Sequence, residues 1–321
     1  MKLSDKERLL LAAIEHQADL PVPVIQKQTK LQAHTIRYFL SRLKERQIIL
    51  GQSPFINLYP LGYTDYTIYF SLSAQSQQLS QNIIKRLLDS KSISWVAKVG
   101  GEYQLGIAIC TKRVEDVSKL IASIEKDFGD FFHQKSISVR LNFNAFGRKY
   151  LSSKFKSART LTMRQLSDEL VTIDALDQQI LSGLSNLEYS SDRHLARLLN
   201  IPFATLIRRL QRLKAVGIIA GYIYRFNLSQ HEIQTYRLLI YARGTGADFA
   251  KELYKYASEH PQILHMIECI GAWDYELGIE VQYSEQVTEL IQSLYQRFGQ
   301  KINEVKMLQI FKHLKYSAYP F

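Results

Sequence analysis

The sequence of 321 residues contains only two cysteines, Cys110 and Cys269. This low count favours a reducing, cytoplasmic setting with no structural disulfide and no thiolate metal cage. Both cysteines fall in or beside apolar strand-like segments, so we expect buried rather than reactive thiols. No run of about 18 apolar residues indicates a membrane span. The N-terminus, Met1 to Lys6, lacks the charged start and apolar core of a signal peptide, and no membrane partner is expected.

The motifs of common catalytic and cofactor sites are also missing. The chain has neither a Gly-x-Gly-x-x-Gly dinucleotide motif nor a Gly-Lys-Ser/Thr phosphate-binding loop. Its eight histidines are scattered, and none forms a His-x-x-x-His pair beside an acid, as a zinc site would require. His265 is more typical of a strand residue than of a catalyst. The sequence therefore predicts no metal, no cofactor, no catalytic residue and a protein that is not an enzyme.

Acidic residues are scarce where basic residues cluster. The formal net charge is +11 at pH 7. Two segments carry basic side chains and no acid: residues 201–215 with Arg208, Arg209, Arg212 and Lys214, and residues 148–164 with Arg148, Lys149, Lys154, Lys156, Arg159 and Arg164. Clustered positive charge favours a polyanion partner over a merely basic soluble protein, which is the alternative.

What the chain does have is a long internal repeat. The segment Ile48–Gly51 recurs as Ile218–Gly221, 170 residues later, and the same offset aligns Leu43 with Leu213 without a gap. A lag this long is too large for a solenoid repeat and indicates two copies of a complete module.

Each copy divides into a helical part and a part of alternating pattern. Residues 4–50 and 174–220 each show three short helices with apolar residues at helical spacing. The remainder of each copy follows the order β-α-β-β-α-β, the ferredoxin-like arrangement of an antiparallel sheet with helices on one face. The basic segment 151–170 is interpreted as a linker with partial helix. The fold class is therefore α+β, with a tandem repeat of these two parts.

The three-helix part has the pattern of a helix-turn-helix, whose third helix enters the DNA major groove. In the third helix of each copy, the side chains that are not part of the apolar stripe carry hydroxyl, amide, imidazole and guanidinium groups. Such groups can contact bases and phosphates. These candidate DNA-binding residues are Thr205, Arg208, Arg209, Gln211 and Arg212 in the second copy, and His34, Thr35, Arg37 and Arg42 in the first. The alternative is a solvated basic helix face.

At this point the chain resembles the Lrp/AsnC family of feast/famine transcription regulators. The resemblance rests on Asp174–Leu181, Ile201-Pro202, Arg209–Leu213 and Gly217–Ile219, and on the glycine turn Gly271–Leu277. It implies two fused winged helix-turn-helix units, each followed by a ferredoxin-like effector and oligomerisation (RAM-type) domain. The implied boundaries are 1–54 and 55–150 for the first copy, 151–170 for the linker, and 171–224 and 225–321 for the second copy.

The resemblance also implies an effector site at the glycine turns, where family members bind small ligands such as amino acids between two effector domains. By position these residues are Gly271, Trp273, Asp274 and Tyr275, and in the first copy Gly100, Gly101, Glu102 and Tyr103. Tight hairpin residues that pack an interface are the alternative interpretation. The implied protein is a sequence-specific DNA-binding transcriptional regulator that binds double-stranded DNA and assembles as a dimer of chains or larger.

Two other functions stay open. Siroheme decarboxylases resemble the same family, and such an enzyme should place histidine and arginine in and around its central strands to hold a carboxylate-rich tetrapyrrole. The first-copy strand Ser94–Val99 has no histidine, and the second copy offers only His265. A regulator that senses no effector is the third hypothesis.

Overall fold

The computed structural model describes residues 3–73, 77–129, 132–153, 159–166, 168–189, 191–228, 233–244 and 246–321. Within these ranges the protein is a mixed α+β fold with ferredoxin-like sheets, as the sequence predicts. None of the helices in these ranges is long and apolar enough to cross a membrane.

The first copy contains five helices and five strands in the described residues. They are α1 (Asp5–Ile14), α2 (Val22–Thr29), α3 (Ala33–Glu45), β1 (Ile49–Ile56), β2 (Thr64–Leu72), α4 (Gln77–Asp89), β3 (Ile93–Gly100), β4 (Leu105–Thr111), α5 (Val114–Phe128) and β5 (Phe132–Ala145).

A short strand, β6, precedes the second copy. The second copy then repeats the order of helices and strands of the first. The elements are β6 (Leu161–Arg164), α6 (Ala175–Asn186), α7 (Asp192–Leu198), α8 (Phe203–Ala215), β7 (Ile219–Phe226), β8 (Gln234–Ala242), α9 (Ala247–Glu259), β9 (Ile263–Gly271), β10 (Tyr275–Val281), α10 (Glu285–Phe298) and β11 (Ile302–Tyr316).

Side-chain caps fix where the helical parts begin. Ser4 and Glu7 form a capping box at the start of α1, and Asp174 does the same with Asp177 at the start of α6, as expected for Asp174. The Ser191 hydroxyl accepts a hydrogen bond from the His194 amide and caps α7, while the other candidate cap, Ser190, lies outside the described residues.

The two ferredoxin-like sheets join into one closed barrel. Nine strands pair in the order β2-β4-β3-β11-β8-β10-β9-β5-β6, and β2 also pairs with β5, which closes the first eight strands. Strands β4 and β10 are buried along their whole length, because helices cover one face and the barrel interior the other. An eight-stranded barrel is just wide enough to be filled by side chains or to hold one small ligand.

The last strand of each copy makes the closure. Strand β5 pairs with β2 of its own copy from Phe132 to Arg140 and with β9 of the other copy from Ser138 to Ala145. Strand β11 pairs likewise with β8 and then with β3. The two copies therefore complete each other's sheet within one chain.

The helical parts of the two copies also share one core. Strand β1 pairs antiparallel with β7, and Leu10 and Ile36 of the first copy belong to the same buried cluster as Leu181 and Leu213 of the second. Backbone bonds from Asn57 to Ile218 and from Asn227 to Ile48 repeat across this contact. The sequence did not predict this pairing.

The segment between the copies differs from its prediction in two ways. Its described part contains the strand β6, paired with β5, where partial helix was expected. Arg148, expected among exposed basic residues, is mostly buried and contacts the carboxylates of Glu15 and Glu280. The two carboxylate partners compensate the charge of the buried Arg148 guanidinium. Lys154 and Lys156 lie outside the described residues.

Candidate functional site

Unpartnered polar atoms are concentrated in the barrel interior. Eight buried side-chain nitrogen or oxygen atoms lack a hydrogen-bond partner among the described residues, and six of these belong to side chains that line the barrel. The six atoms are Thr67 Oγ1, Arg140 Nε, Arg237 Nε, His265 Nε2, Trp273 Nε1 and Glu276 Oε2. Because a buried unmade hydrogen bond costs about 1–3 kcal/mol, such a cluster points to a ligand or ordered water.

His265 and Arg237 converge above Gly278. These residues lie opposite Gly278 on the two neighbouring strands, β9 and β8. A Cβ atom at position 278 would lie 2.2 Å from His265 Nε2 and 2.5 Å from Arg237 Nη1, so only glycine leaves room for both groups. Gly278 therefore allows the His265 imidazole and the Arg237 guanidinium to lie over the same residue of the barrel wall.

The imidazole at this point is neutral. Burial and the nearby charges of Arg237 and Arg140 hold the pKa of His265 well below its usual range. The ring stacks on Phe143 at 5.0 Å between centroids, which fixes its plane. The free chain therefore presents an uncharged His265 beside two guanidinium groups.

The guanidinium groups are only partly neutralised. Arg237 Nε lies 3.0 Å from Glu276 Oε1, but its N–H points away from that oxygen, so the contact is an ion pair without a hydrogen bond. Arg140 has no ion pair within 4.0 Å among the described residues, although the charges of Glu276 and Asp65 act on it from further away. Donor groups therefore remain available on both arginines.

Tyr69 fixes the carboxylate of this group of residues. Its hydroxyl donates to Glu276 Oε1 at 3.3 Å, and its ring packs against Trp95, Trp273 and Tyr103 with centroid distances of 5.4–6.2 Å. These four aromatic rings fill much of the barrel, and Glu276 Oε2 is left without a donor.

The equivalent position in the first copy has different chemistry. Gly106 lies opposite Tyr69 and Ala97, just as Gly278 lies opposite Arg237 and His265. A Cβ at Gly106 would meet the rings of Tyr69 and Trp95 at 2.7 and 2.8 Å. The first copy therefore has aromatic groups where the second has a histidine and an arginine.

The predicted DNA-binding residues of the second copy divide into two groups. Arg209 Nη1 lies 2.6 Å from Asp174, and Arg212 Nη1 lies 2.5 Å from the fully buried Asp177, so both guanidinium groups pair with carboxylates of α6. Arg208 and Gln211 are exposed on α8, and Thr205 is half-buried. Intramolecular ion pairs thus occupy two of the three arginines.

In the first copy the corresponding residues lie on α3. His34 and Arg37 are exposed, whereas Thr35 and Arg42 are half-buried. Next to Arg42, Arg46 forms an ion pair of 2.9 Å with the buried Glu7, which repeats the pairing of α8 with α6. The basic character of each third helix is therefore partly neutralised by its own helical unit.

The predicted effector residues lie where the copies meet, but several of them are enclosed. At the second glycine turn the Trp273 amide donates to Ser138 Oγ of β5, and Asp274 accepts from the Ala242 amide. The Gly271 backbone packs closely on Ile137 and Ser138, at a φ of +139° that favours glycine. Trp273 and Tyr275 are buried, and Tyr275 faces the helix side of the sheet.

The first glycine turn contacts the other copy in the same way. Gly101 approaches the Met307 carbonyl and Leu308 of β11, and Gly100 lies under the Phe311 ring. Glu102 pairs with Lys306 at 2.8 Å, and the buried Tyr103 shares a 2.7 Å hydrogen bond with Ser136. Both glycine turns therefore form contacts between the two copies, and few of their polar groups remain available to bind an effector.

Cys110 and Cys269 are both buried, as predicted. Burial raises the pKa of each thiol, which keeps the thiols protonated and unreactive. Among the described residues no group of three or more His, Cys, Asp or Glu could hold a metal ion.

Solved structures of other proteins are similar to this fold. The crystal structure of the siroheme decarboxylase NirDL matches with a TM-score of 0.61 and 13% identity, covering 98% of this chain and 93% of that chain. NirDL in co-complex with an iron-uroporphyrin III analogue matches with a TM-score of 0.62 and 13% identity, covering 99% and 95%. No family model and no curated protein matches the chain.

Two transcription regulators match a little less than half of the chain. A transcriptional regulator from Neisseria meningitidis in complex with L-Met has a TM-score of 0.40 and 16% identity, covering 46% of this chain and 96% of its own. An AsnC family regulator from Agrobacterium tumefaciens has a TM-score of 0.39 and 19% identity, covering 45% and 94%.

The full-length match corrects one prediction. The sequence was expected to encode a protein that is not an enzyme, and this is wrong, because the structures that match nearly the whole chain are those of an enzyme. The error came from weighing the scarcity of histidine in the central strands against the enzyme hypothesis. In the barrel, which both copies form, His265 lies beside Arg237 and His313 accepts a hydrogen bond from Trp95, and this arrangement differs from the one expected in each copy.

Sequence inspection missed the charged barrel interior for a physical reason. Strand β10 reads Tyr275-Glu276-Leu277-Gly278-Ile279-Glu280-Val281, an alternation of apolar and polar or glycine positions. Such alternation is typical of a strand with one solvated face. Here the polar face lines a closed barrel instead. The signal that could have found it is Arg237, a lone charge inside an otherwise apolar strand segment.

Proposed function

We propose that the chain is a decarboxylase that removes carboxyl groups from the acetate arms of an iron tetrapyrrole of the siroheme type. The observation that carries the proposal is the convergence of His265 and Arg237 above Gly278, with nitrogens that have no hydrogen-bond partner. The near full-length likeness to NirDL, at 13% identity, supports the same fold and agrees with this choice.

The reaction converts a CH2–COO⁻ arm to a methyl group and releases CO2, with one proton taken up per arm. A guanidinium is suited to bind the carboxylate, because it offers paired N–H donors in a fixed plane. A mostly apolar wall removes water from that carboxylate and thereby favours loss of CO2. The barrel supplies Arg237 for the first role and the rings around Tyr69 for the second.

His265 is suited to supply the proton. In the free chain its pKa is lowered by burial and by the charges of Arg237 and Arg140. Carboxylates of a bound ligand would offset those charges, so the pKa of His265 would rise and the imidazole would take up a proton on binding. Ligand binding would then protonate His265, and His265 would donate this proton to the arm when CO2 is lost.

The decisive experiment measures turnover and binding separately. The purified protein is incubated anaerobically with siroheme, products are followed by mass spectrometry as successive losses of CO2, and binding is followed by the Soret band. We expect His265→Asn to bind siroheme with little turnover, and Arg237→Gln to lose affinity by about 10-fold or more. His34→Ala, an exposed histidine on α3, serves as the matched control.

The outcomes separate clearly. Turnover by the wild type and the control, lost in His265→Asn, supports the proposal. Absence of both Soret change and CO2 loss in the wild type refutes it. Equal turnover in His265→Asn and the wild type assigns the chemistry to other residues and removes the role given to His265.

DNA binding is a second candidate function, favoured by one observation. Arg208 and Gln211 on α8 and His34 and Arg37 on α3 are exposed, in units whose third helices are those expected to enter a major groove. Arg209 and Arg212 would have to exchange their carboxylate partners for phosphates or bases. In this proposal an effector such as an amino acid would bind at the glycine turns.

The DNA hypothesis is tested with pooled genomic fragments at two salt concentrations, wild type beside the triple variant Arg208→Ala/Arg209→Ala/Arg212→Ala. A regulator should enrich paired half-sites, with affinity falling by roughly 0.9 log units per log unit of salt for each phosphate contacted. Weak binding without sequence preference, unchanged in the variant, would exclude sequence-specific recognition by α8.

A further inference from the structure

The barrel interior contains buried guanidinium groups and is packed with aromatic side chains. The rings of Tyr69, Trp95, Tyr103 and Trp273 are buried inside it. An eight-stranded barrel filled in this way has room for a small group and none for a macrocycle. Any large ligand of this barrel must therefore remain outside and insert only a side arm.

Arg140, on the inner wall, has no close ion pair among the described residues, although Asp65 lies opposite it on β2. Its Nε is buried without a hydrogen-bond partner, and no carboxylate of the described residues lies within 4.0 Å of its guanidinium. The residue nevertheless keeps some accessible surface, whereas Ser138, its neighbour on the same face of β5, keeps none. A cation in this position is stabilised by an anion that reaches it.

The charges of Arg140 and Arg237 act on the same groups. Both lower the pKa of His265, and both act on the Tyr69 hydroxyl. Arg140 comes from β5 of the first copy, whereas Arg237 and His265 come from β8 and β9 of the second. The charged centre of the barrel, which also contains the carboxylates of Glu276 and Asp65, is therefore made by both copies together.

We propose that the barrel interior is a subsite for one carboxylate arm, held between the guanidinium groups of Arg140 and Arg237, while the rest of the ligand stays outside the barrel. This deepens the proposed function by assigning the place of the reacting arm. It would also give an anionic partner to the buried Arg140, whose Nε has no hydrogen-bond partner among the described residues.

The chain carries its own probe of this subsite. Its two tryptophans, Trp95 and Trp273, both line the barrel, and Trp95 lies beneath the Arg237 guanidinium with 6.0 Å to the ring centroid. Intrinsic tryptophan fluorescence therefore reports on the barrel and on no other part of the protein. A ligand arm that enters the subsite must change it.

The probe ligand is a monopyrrole that carries one acetate and one propionate arm, compared with its dimethyl ester. We expect the acid to change tryptophan emission saturably and the uncharged ester to leave it unchanged. In Arg140→Gln the apparent affinity should fall by about 10-fold or more, with partial recovery in Arg140→Lys. Arg113→Gln, an exposed arginine paired with Glu115, should behave like the wild type.

Each outcome decides. An equal response to acid and ester, no saturable response of the wild type, or unchanged affinity in Arg140→Gln overturns the subsite. If Arg140→Gln does not fold, as judged by circular dichroism, the comparison of acid and ester on the wild type still decides. Siroheme turnover that is independent of Arg140 would leave the decarboxylase proposal intact and remove the subsite. If the monopyrrole acid binds and its binding requires Arg140, but siroheme is not turned over, the subsite is supported and the decarboxylase proposal is refuted.

Discussion

The Trp95 indole donates a 3.0 Å hydrogen bond to Nδ1 of His313, and the two residues belong to different copies of the repeat. Because Nδ1 accepts, the neutral imidazole carries its proton on Nε2. Burial and the nearby Arg237 lower the pKa of His313 to about 4. This bond between the copies therefore exists in the unprotonated state of the histidine.

The first prediction concerns acid stability. His313 has a pKa of about 4 in the folded chain and about 6.5 when unfolded, so the unfolded chain binds the proton first as the pH falls. The stabilisation is present above pH 6.5 and is lost towards pH 4, and solvent screening keeps it small because His313 is exposed. Urea unfolding at pH 7.5 and pH 4 measures it. His313→Gln, which can still accept from Trp95, should flatten the profile, and an unchanged profile would contradict the assignment.

The second prediction concerns the glycine beneath His265. Gly278→Ala places a methyl group 1.9 Å from the His265 ring and 2.5 Å from Arg237, so both side chains must move. We expect about 1–3 kcal/mol lower stability and weaker siroheme binding. Gly246→Ala is the matched control, because its Cβ would meet nothing within 4 Å. Similar effects of the two substitutions on siroheme binding would show that the position of His265 does not matter.

The third prediction concerns the acid that pairs with α8. Asp177 is fully buried and binds Arg212 at 2.5 Å and Arg209 at 3.2 Å. Asp177→Asn should lower the free energy of unfolding by about 1–3 kcal/mol, because the buried carboxylate no longer accepts charged hydrogen bonds from two guanidinium groups that solvent partly reaches. Asp248→Asn, at an exposed position on α9, should have little effect. Denaturant unfolding of both variants decides, and equal stability would mean that the ion pairs contribute nothing.

The fourth prediction concerns the contact between the first helical unit and the barrel. Arg148 joins Glu15 at the end of α1 to Glu280 of β10, and Tyr150 donates to the same Glu280. The carboxylates hold the pKa of Arg148 well above its usual value against the effect of burial. Arg148→Met should cost about 3–5 kcal/mol, since two buried carboxylates lose their counter-charge.

A rescue variant tests the cause of that loss. Adding Glu15→Gln and Glu280→Gln to Arg148→Met removes the uncompensated charges and should restore much of the stability. Thermal unfolding of the single and triple variants gives the comparison. A triple variant less stable than the single one would show that lost packing, rather than unpaired charge, dominates.

Local pattern was sufficient to predict most of the helices and strands. Helices α5 and α10 run from Val114 to Phe128 and from Glu285 to Phe298, the limits that their apolar spacing and flanking glycines indicate. The repeat also predicted that each sheet has the ferredoxin-like order. These features depend on residues close in sequence, and periodicity reports them directly.

Contacts between the copies could not be predicted in the same way. The pairings of β1 with β7 and of β5 with β9 join residues more than 100 positions apart, and no local spacing encodes them. Arg148 illustrates the consequence, because in sequence it begins a basic segment and in the fold it lies between two distant carboxylates. The candidate site shares this property, since Arg140 and His265 meet only when the barrel closes.

The closure of the barrel by β5 and β11 has an evolutionary consequence. In a homodimer every substitution appears twice, so a histidine introduced opposite one glycine is also introduced opposite its mate. A single chain that carries both copies is free of that restriction, because its two halves differ in sequence. The two copies differ around their equivalent glycines. Gly106 lies opposite Tyr69 and Ala97, whereas Gly278 lies opposite Arg237 and His265. One wall of the barrel therefore packs side chains and the other carries charge.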